Sequence, residues 1–417
     1  MNLRNDCFAL PPGVDWVPVD DALSCLRDAI TPIEDEEIIP LSEAGGRIAT
    51  RDVLALRSHP PGANSAVDGY GFAHEALDPR ANSFTLPLVE GRAAAGVPFR
   101  GTVPPGSAIR ILTGALVPPG VDTVVLEEDV TVADGHVHIP GRVKPGSNTR
   151  AAGEDKKAGE GIFPAGTIIR STEIGAGVAT GIAQVRVRRR LRVGVLSTGD
   201  EVVPAGRHAK PHMTFDANRP MLMDLVRAWN MEPVDLGHVR DDGALVAEAL
   251  DCAIDTTDAV LTSGGASQGD EDHVSKTLRE RGSLNTWRIA VKPGRPLALG
   301  MWSGFPVFGL PGNPVAAFVC ALIFARPALF RLGGADWLTP QGYMLPAGFS
   351  KNKKPGRREF LRARIGPDGH VEVFPSEGSG RVSGLSWAQG LVELEDGARE
   401  VRPGDRVRYI PFSEFGL

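Results

Sequence analysis

The residues best suited to chemistry lie in one stretch, 261–272, which reads LTSGGASQGDED. Ser263, Gly264 and Gly265 form a turn of little bulk whose backbone N–H groups could approach a phosphate. Three carboxylates follow at 270–272, and their oxygens suit a hard divalent cation such as Mg²⁺, which often shares its ligands with phosphates. The stretch predicts a phosphate-binding turn beside a magnesium site. An ordinary strand-to-helix turn, with acids favouring the helix N-terminus, is an equally good interpretation of this stretch alone.

A second loop carries acids of the same kind. Residues 197–201 read STGDE and follow the apolar run 191–196, which has the composition of a strand. Two cations, Lys292 and Arg295, occur further along in the sequence KPGRP. Ligands of parallel sheets bind at the carboxyl ends of the strands, so we expect both acidic loops to lie at one edge of a sheet with these cations nearby.

Strands and helices alternate from residue 191 onward, and this pattern predicts a mostly parallel sheet that is covered on both faces. Further strands are predicted at 234–239 and 259–261, and helices at 222–229 and 245–250.

An apolar run, 315–325, predicts a buried helix in the same region. Asn313 can cap this helix and Pro314 fits its first position. We expect the helix to end at Arg326-Pro327, which leaves it too short to span a bilayer.

The chain contains 50 Gly and 34 Pro, and residues of these two types mark many turns outside the α/β region. Strand-like runs fill 84–139 and predict a small all-β module inserted into another domain. Similar runs from Tyr343 onward predict a closing β-barrel or sandwich. Before the insertion we expect a helix at 19–30 and a second short helix from Ser42.

Two other acidic motifs are candidates of weaker pattern. Asp68 lies in NSAVDGYGF, and Asp155 lies in SNTRAAGEDKK. An Asp-Gly turn and a solvated turn are their ordinary interpretations. The basic cluster at 186–192 favours an edge strand at a domain junction over a nucleic-acid site.

Composition narrows the class of protein. A chain of 417 residues exceeds one ordinary core, so roughly two to four domains are expected. The net charge of −6 argues against a general nucleic-acid-binding surface. Four widely spaced cysteines without a CxxC pair argue against a structural zinc site or a disulfide framework. The N-terminal MNLRNDCFALPP lacks the apolar core of a signal peptide, so we expect a cytoplasmic protein without membrane contact.

Taken together, the motifs resemble those of the molybdopterin molybdenumtransferases, the MoeA family, which is related to the E domains of gephyrin and of the plant Cnx proteins. The resemblance covers nearly the whole chain. It rests on SAVDGYG (65–71), ILTGALVPPGVDTVV (111–125), GSNTRAAGED (146–155), STGDEV (197–202), LTSGGASQGDED (261–272), VKPGRP (291–296), FGLPGNPVAAF (308–318), EFLRA (359–363) and GSGRVSGL (378–385).

The resemblance implies an enzyme that inserts molybdate into adenylylated molybdopterin with magnesium present, and that releases AMP. It also implies an elongated homodimer that contacts a molybdopterin adenylyltransferase and cofactor-accepting enzymes. The implied domains are a split N-terminal domain, an inserted β domain, a molybdopterin-binding three-layer α/β domain and a C-terminal β domain, at 15–56 plus 147–188, 57–146, 189–333 and 334–417, respectively.

Site residues carry over motif by motif. The implied catalytic acids are Asp68, Asp155, Glu201, Asp241 and Asp272. Glu201 and Asp272 would hold magnesium against the pyrophosphate, and Lys292 and Arg295 would neutralise phosphate or molybdate. The expected substrate contacts are Thr198, Ser263, Gly264, Gly265, Lys292, Arg295, Pro311 and Pro314, with Arg362 and Ser383 as weaker oxyanion contacts.

Two other functions stay open at this stage. A molybdopterin adenylyltransferase shares the α/β domain, but its glycine motif differs from Ala266–Asp270, and the flanking β modules would have no purpose. A non-catalytic scaffold that only binds the pterin could dispense with Glu201, Asp272 and Asp155, yet all three acids are present. Gly71, Lys156-Lys157, Gln268 and His273 depart from the family pattern and bear on fine substrate contacts. Molybdate and tungstate fit equally well.

Overall fold

The structure is a computed structural model that describes residues 16–264, 273–294 and 296–417. Within these ranges the chain forms three six-stranded sheets and several two-stranded pairings. The multidomain α/β plus β fold expected from the sequence is confirmed.

The N-terminal region is built from two separate stretches of chain. The strand Glu36–Pro40 pairs antiparallel with Gln184–Arg188, and Val53–Leu54 pairs with Gly161–Phe163. The stretches that flank the inserted module therefore pair with each other, as a split domain requires. The domain boundaries themselves stay a prediction.

The first helix runs Val19–Ala29 and buries one face, as its apolar spacing predicted. The second helix, predicted from Ser42, is wrong. Only a 3₁₀ turn forms there, at Leu41–Glu43. Glycine weakens helices, and Gly46 adopts a φ of 75°, which turns the chain away from a helical path and into β-bridges.

The basic cluster at 186–192 is taken up by ion pairs at a junction. Arg186 Nη1 lies 3.0 Å from a carboxylate oxygen of Glu36. Arg189 Nη1 lies 2.6 Å from a carboxylate oxygen of Asp258, which precedes a central strand of the α/β domain. The cluster therefore ties the N-terminal region to the α/β domain.

The inserted module contains a six-stranded sheet, in agreement with the strand-like runs of its sequence. In spatial order its strands are Thr123–Leu126, Gly69–Phe72, Ala108–Ile111, Ser83–Ala93, His136–Pro140 and Thr131–Ala133.

The α/β domain has a mixed six-stranded sheet in which one strand, Pro296–Trp302, runs antiparallel to its neighbours. The spatial order is Glu232–Val239, Arg192–Thr198, Ala259–Ser263, Phe305–Leu310, Pro296–Trp302 and Ser283–Arg288. Helices Asn218–Ala228, Gly243–Ala253, His273–Arg281 and Pro314–Leu332 cover it.

Alternate residues of the central strands pack on opposite faces of this sheet. Val195 and Leu261 join the core with the helix Asn218–Ala228, whereas Leu196 and Val260 join a separate core with the helix Gly243–Ala253. The expected three-layer arrangement is therefore confirmed, and it leaves the strand ends as the place where polar residues gather.

The long apolar helix is longer than predicted. It continues past Arg326-Pro327 to Leu332, by way of a π-helical segment at Ala321–Ala325. Pro327 is tolerated because it lies at the start of the last helical segment. The helix Pro314–Leu332 could cross a bilayer by length and composition alone, but 89% of its apolar window is buried inside the protein, as in the core helix of a globular domain. Asn313 precedes the helix without making the predicted side-chain cap.

The C-terminal region is a β domain that shares a strand with the α/β domain. Its strands are Tyr343–Pro346, Lys351–Lys353, Arg358–Ile365, Val371–Val373, Gly390–Leu394, Arg399–Val401 and Arg406–Pro411. The short strand Val291–Lys292, which leaves the α/β domain, pairs in parallel with Arg358 and Glu359. Lys292 therefore lies where the two domains meet.

Candidate active site

A cavity of about 1060 Å³ lies between the strand ends of the α/β domain and the C-terminal β domain. Many of the predicted site residues line it, namely Thr198, Glu201, Asp241, Ser263, Gly264, Lys292, Pro311 and Pro314. Other predicted residues, Asp68, Asp155, Arg362 and Ser383, do not line this cavity. Gly265, Asp272 and Arg295 lie outside the described residues.

The α/β side of the cavity is lined by buried, uncharged polar groups. Ser197 and Thr198 end one central strand, and Ser263 ends the neighbouring one. The hydroxyl oxygens of Ser197 and Thr198 are buried and have no hydrogen-bond partner within the described structure. Buried polar groups are nearly always satisfied, so unsatisfied hydroxyls at a cavity point to a ligand that completes them.

The geometry of the α/β side of the cavity requires a glycine at position 264. Its φ is 98°, and a Cβ at this position would lie 2.8 Å from both the carbonyl oxygen and Oγ1 of Thr198. Its N–H donates to the Leu310 carbonyl at 3.2 Å. The phosphate contact predicted for this backbone N–H therefore competes with an existing bond, which makes the Ser263 hydroxyl the better donor of the pair.

Asn218 is a site residue that the sequence pattern did not indicate, because the segment 216–220 has the composition of an ordinary helix start. Its Nδ2 donates to Ser263 Oγ and to the Gly312 carbonyl, both at 2.7 Å. Its Oδ1 is buried at the cavity and has no hydrogen-bond partner among the residues that the structure describes. Because Ser263 Oγ accepts from Asn218, its own hydrogen is left to point elsewhere, toward a ligand.

The first turn of the helix Asn218–Ala228 is served by Asp216, two residues before the helix, whose carboxylate accepts from the N–H of Arg219 at 3.1 Å. This division explains why Asn218 is available for the site.

Two acids line the rim. Glu201 is exposed and Asp241 is half-buried. Asp241 accepts from the N–H of Asp200 at 3.3 Å, and its own N–H donates back to the Asp200 carboxylate at 3.3 Å, which joins the loop 197–201 to the loop that follows the strand Glu232–Val239. Their carboxylate oxygens are the donor type that Mg²⁺ takes, so Glu201 and Asp241 fit such an ion. Among the described residues no three acidic, His or Cys side chains gather into a ready metal site.

The opposite side of the cavity is charged. Arg357 lines it and is buried. Lys292 Nζ lies 2.6 Å from a carboxylate oxygen of Glu377 and 3.6 Å from one of Glu359. The predicted cation is thus present at the cavity, held in ion pairs to acids of the C-terminal domain.

Arg362 is buried behind this wall, where it lines an adjoining cavity of about 250 Å³. Its guanidinium donates to the carbonyls of Arg381 at 2.6 Å, of Gly378 at 3.2 Å and of Ser376. Burial lowers the pKa of Arg362. The arginine therefore holds the segment 376–381 in place. Ser383 is the exposed first residue of the short helix Ser383–Trp387.

The two N-terminal acids lie apart from the cavity. Asp68 is exposed, and its Oδ1 accepts from Thr113 Oγ1 at 2.6 Å and from the Thr113 N–H at 2.7 Å. These two hydrogen bonds lower the pKa of Asp68. Asp155 is exposed, and its N–H donates to the His59 carbonyl at 3.2 Å.

Comparisons with known proteins agree with this architecture. Three family models match: the MoeA N-terminal region (domain I and II) at 17–181, the "probable molybdopterin binding domain" at 194–331 and the MoeA C-terminal region (domain IV) at 345–412. The molybdopterin molybdenumtransferase of Haemophilus influenzae is 34% identical over 401 residues, which are 95% of this chain and 98% of the relative. Its namesake in Nostoc sp. is 35% identical over 308 residues, 72% of this chain and 70% of the relative.

A solved structure, the molybdopterin biosynthesis MoeA protein of Pyrococcus horikoshii OT3, matches with a TM-score of 0.82 and 29% identity, covering 95% of this chain and 100% of that one. The fold and the strand-end cavity thus define a protein of the MoeA type, in which an α/β domain is flanked by N-terminal and C-terminal β-rich regions. The chain belongs to the molybdopterin molybdenumtransferase family, a family of transferases in molybdenum cofactor biosynthesis.

Proposed function

We propose that this chain inserts molybdate into adenylylated molybdopterin and releases AMP in a magnesium-dependent reaction. The observation that carries the proposal is the cavity between the α/β and C-terminal domains. One side offers neutral hydroxyl and amide groups, the rim offers acids, and the other side offers cations. Cleavage of a phosphoanhydride next to an oxyanion needs these three kinds of group together.

The chain's own residues divide the work by position. Ser263, oriented by Asn218, donates to a phosphate oxygen of the substrate. Lys292 and Arg357 face the negative charge from the other wall. A magnesium ion bound at the rim of the cavity would act as a Lewis acid toward the phosphoanhydride. Glu201 and Asp241 would hold it, together with Asp272.

We further propose a homodimer in which Asp68 and Asp155 of one subunit complete the cavity of the other. The support is that both acids are exposed and stand outside the cavity of their own chain. The proposed setting is the cytoplasm, with a molybdopterin adenylyltransferase supplying the substrate and cofactor-accepting enzymes taking the product.

The test is to incubate the purified protein with adenylylated molybdopterin, molybdate and Mg²⁺. We expect AMP release and a product that activates a cofactor-free molybdoenzyme. Glu201→Gln should slow AMP release by about tenfold or more, because it removes charge from the magnesium site. The matched control is Glu248→Gln, at an exposed position of the helix Gly243–Ala253, which should behave as the parent protein.

Two outcomes would favour the other candidate functions. Formation of adenylylated molybdopterin from ATP and molybdopterin would indicate an adenylyltransferase. Tight binding of adenylylated molybdopterin without AMP release, in the presence of Mg²⁺ and molybdate, would indicate a scaffold.

A further inference from the structure

Four charged side chains form a closed ring where the α/β domain meets the C-terminal domain. We call it the charge ring: Lys292, Lys351, Glu359 and Glu377. Lys292 lies 2.6 Å from Glu377 and 3.6 Å from Glu359. Lys351 lies 2.9 Å from Glu359 and also pairs with Glu377. Each lysine therefore contacts both acids.

The members of the ring differ in how firmly they are enclosed. The side chains of Lys292, Lys351 and Glu359 are 14%, 11% and 9% exposed, whereas that of Glu377 is 40% exposed. Glu377 also lines both the large cavity and the adjoining smaller one. Glu377 is thus the member of the ring that can leave for solvent at least cost.

The backbone beneath Glu377 is fixed. Arg362, which is buried, donates to the carbonyls of Ser376 and Gly378, the two residues on either side of Glu377. Stacking of the guanidinium on the Phe374 ring, at 4.8 Å from its centroid, holds Arg362 in turn. A motion at this position is therefore confined to the Glu377 side chain and leaves the loop in place.

We propose that Glu377 is a displaceable carboxylate: it occupies the place of an oxyanion between Lys292 and Lys351, and it swings into the cavity when a tetrahedral oxyanion binds there. The inference rests on the proposed function, since it takes molybdate as the oxyanion. Its consequence is that Glu377 sets the oxyanion affinity by competing for the same two cations.

Charge balance explains why such a residue is useful. Two lysines that are mostly enclosed repel each other and lose hydration, so they need neutralising charge in the resting protein. Exchanging one anion for another keeps the site balanced in both states. The measured affinity for an oxyanion is then the difference between the free energies with which the oxyanion and the Glu377 carboxylate bind the two lysines. This competition gives the site a weak selectivity against smaller anions in solution.

The electrostatics of the ring favour the charged forms of Glu377 and Lys351. Burial acts to raise the pKa of Glu377, but hydrogen bonds from Lys292 and Lys351 outweigh it and hold that pKa below the ordinary value. Burial acts to lower the pKa of Lys351, but the bonds to Glu377 and Glu359 outweigh it and hold that pKa above the ordinary value.

The experiment measures oxyanion binding directly. Molybdate, and sulfate as a second probe, are titrated by calorimetry into the intact parent protein and into Glu377→Gln at constant ionic strength. Glu377→Gln keeps the shape of the side chain but removes its charge, so we expect it to bind molybdate about tenfold more tightly. In turnover assays the KM for molybdate should fall in proportion.

The matched control is Glu372→Gln. Glu372 lies in the same domain, pairs with Arg364 at 2.9 Å and is 39% exposed, but lines neither cavity. Its affinity for molybdate should equal that of the parent protein. Lys351→Met should abolish the gain when combined with Glu377→Gln, because it removes one of the two cations.

Unchanged or weaker molybdate binding in folded Glu377→Gln, as judged by circular dichroism, would overturn the proposal. A tenfold gain that appears equally in Glu372→Gln would overturn it too, since that is a general charge effect. Tighter molybdate binding without AMP release by the parent or the variant would refute the proposed function and leave the displaceable carboxylate supported.

Discussion

The two walls of the cavity present different kinds of group to a charged ligand. The α/β wall presents hydroxyls and an amide whose positions are fixed by backbone and by the hydrogen bonds of Asn218 to Ser263 and to Gly312. The C-terminal wall presents charges that are enclosed and therefore need partners, which the charge ring supplies.

This difference shows how a site for a highly charged substrate can remain stable when the substrate is not bound. The hydroxyls and the amide of the α/β wall carry no charge, so holding them without a ligand costs far less than holding an enclosed charge, and this wall can be rigid and preformed. Enclosed charges cannot wait unpaired, so the C-terminal wall must carry internal counter-ions and exchange them. Perturbing the first wall should therefore act through geometry, and perturbing the second through charge.

The largest effect is expected from Gly264→Ala, which breaks the geometry of the α/β wall. The new Cβ would meet the backbone carbonyl of Thr198 at 2.8 Å, and the φ of 98° disfavours any L side chain. We expect a loss of about 3 kcal/mol in the free energy of unfolding, because a backbone atom cannot move aside as a flexible side chain can. Denaturant titration measures it.

The matched control for that substitution is Gly206→Ala. Gly206 also has a positive φ, of 85°, but a Cβ there would meet nothing within 4 Å. It should lose only the conformational part, about 1 kcal/mol. Equal losses at both positions would show that close packing at Gly264 contributes nothing to the wall.

A smaller effect is expected from Asn218→Ala, which leaves the backbone intact. The Gly312 carbonyl and Ser263 each lose a donor, so the free energy of unfolding should fall by about 1–3 kcal/mol. Because Ser263 also loses its orientation, the affinity for AMP should fall about tenfold. Asn82→Ala, at an exposed site, is the control for both measurements. An AMP affinity equal to that of the parent would restrict Asn218 to a structural role.

The strands of the α/β wall could be predicted from the sequence, whereas its central contact could not. Buried parallel strands are continuous apolar runs, and turn residues mark their ends, so the sequence alone predicts that Thr198 and Ser263 lie at one edge of the sheet. Asn218 contacts residues 45 and 94 positions away in the chain, and local pattern carries no information on such contacts.

The charged wall was predictable only in part, for a related reason. Lys292 was expected near the strand ends, but its partners Glu359 and Glu377 come from another domain, which the short strand Val291–Lys292 joins by pairing in parallel with the strand Arg358–Ile365. The predicted length of the apolar helix was wrong for a different reason. Burial on all sides carries the helix through Pro327, which local propensity treats as a stop.

A still smaller effect is expected from pH, and it should separate the walls. The pKa of Glu377 lies below its ordinary value of 4.5, so its stabilising contribution is complete above pH 4.5 and is lost as the pH falls through the lowered pKa. The pKa of Lys351 lies above its ordinary value of 10.5, so its contribution is complete below pH 10.5 and is lost as the pH rises through the raised pKa.

The α/β wall has no such dependence, since its hydroxyls and amide do not titrate. Glu377 is more than a third exposed, so screening should limit its share to less than about 1 kcal/mol. Unfolding curves between pH 3 and 6 should show a weaker acid dependence for Glu377→Gln than for the parent. Identical acid dependence of the two proteins would mean that the charge of Glu377 does not contribute to the free energy of unfolding.

The last prediction concerns residues that belong to neither wall of their own chain, and it changes no stability. Asp68 is exposed and bonded to Thr113, so Asp68→Asn should fold as the parent does but lose most insertion activity if the acid serves a partner's cavity.

Glu201→Gln damages the cavity itself. When the two variants are mixed and allowed to exchange subunits, a mixed dimer has one cavity with both defects and one with neither. Random exchange makes half of the dimers mixed, so activity should recover to about a quarter of the parent value. Full activity of Asp68→Asn alone would mean that Asp68 only forms a turn and that the cavity is complete with its two walls. Mixing without recovery, in dimers shown by mass spectrometry to be mixed, would mean that Asp68 acts within its own subunit.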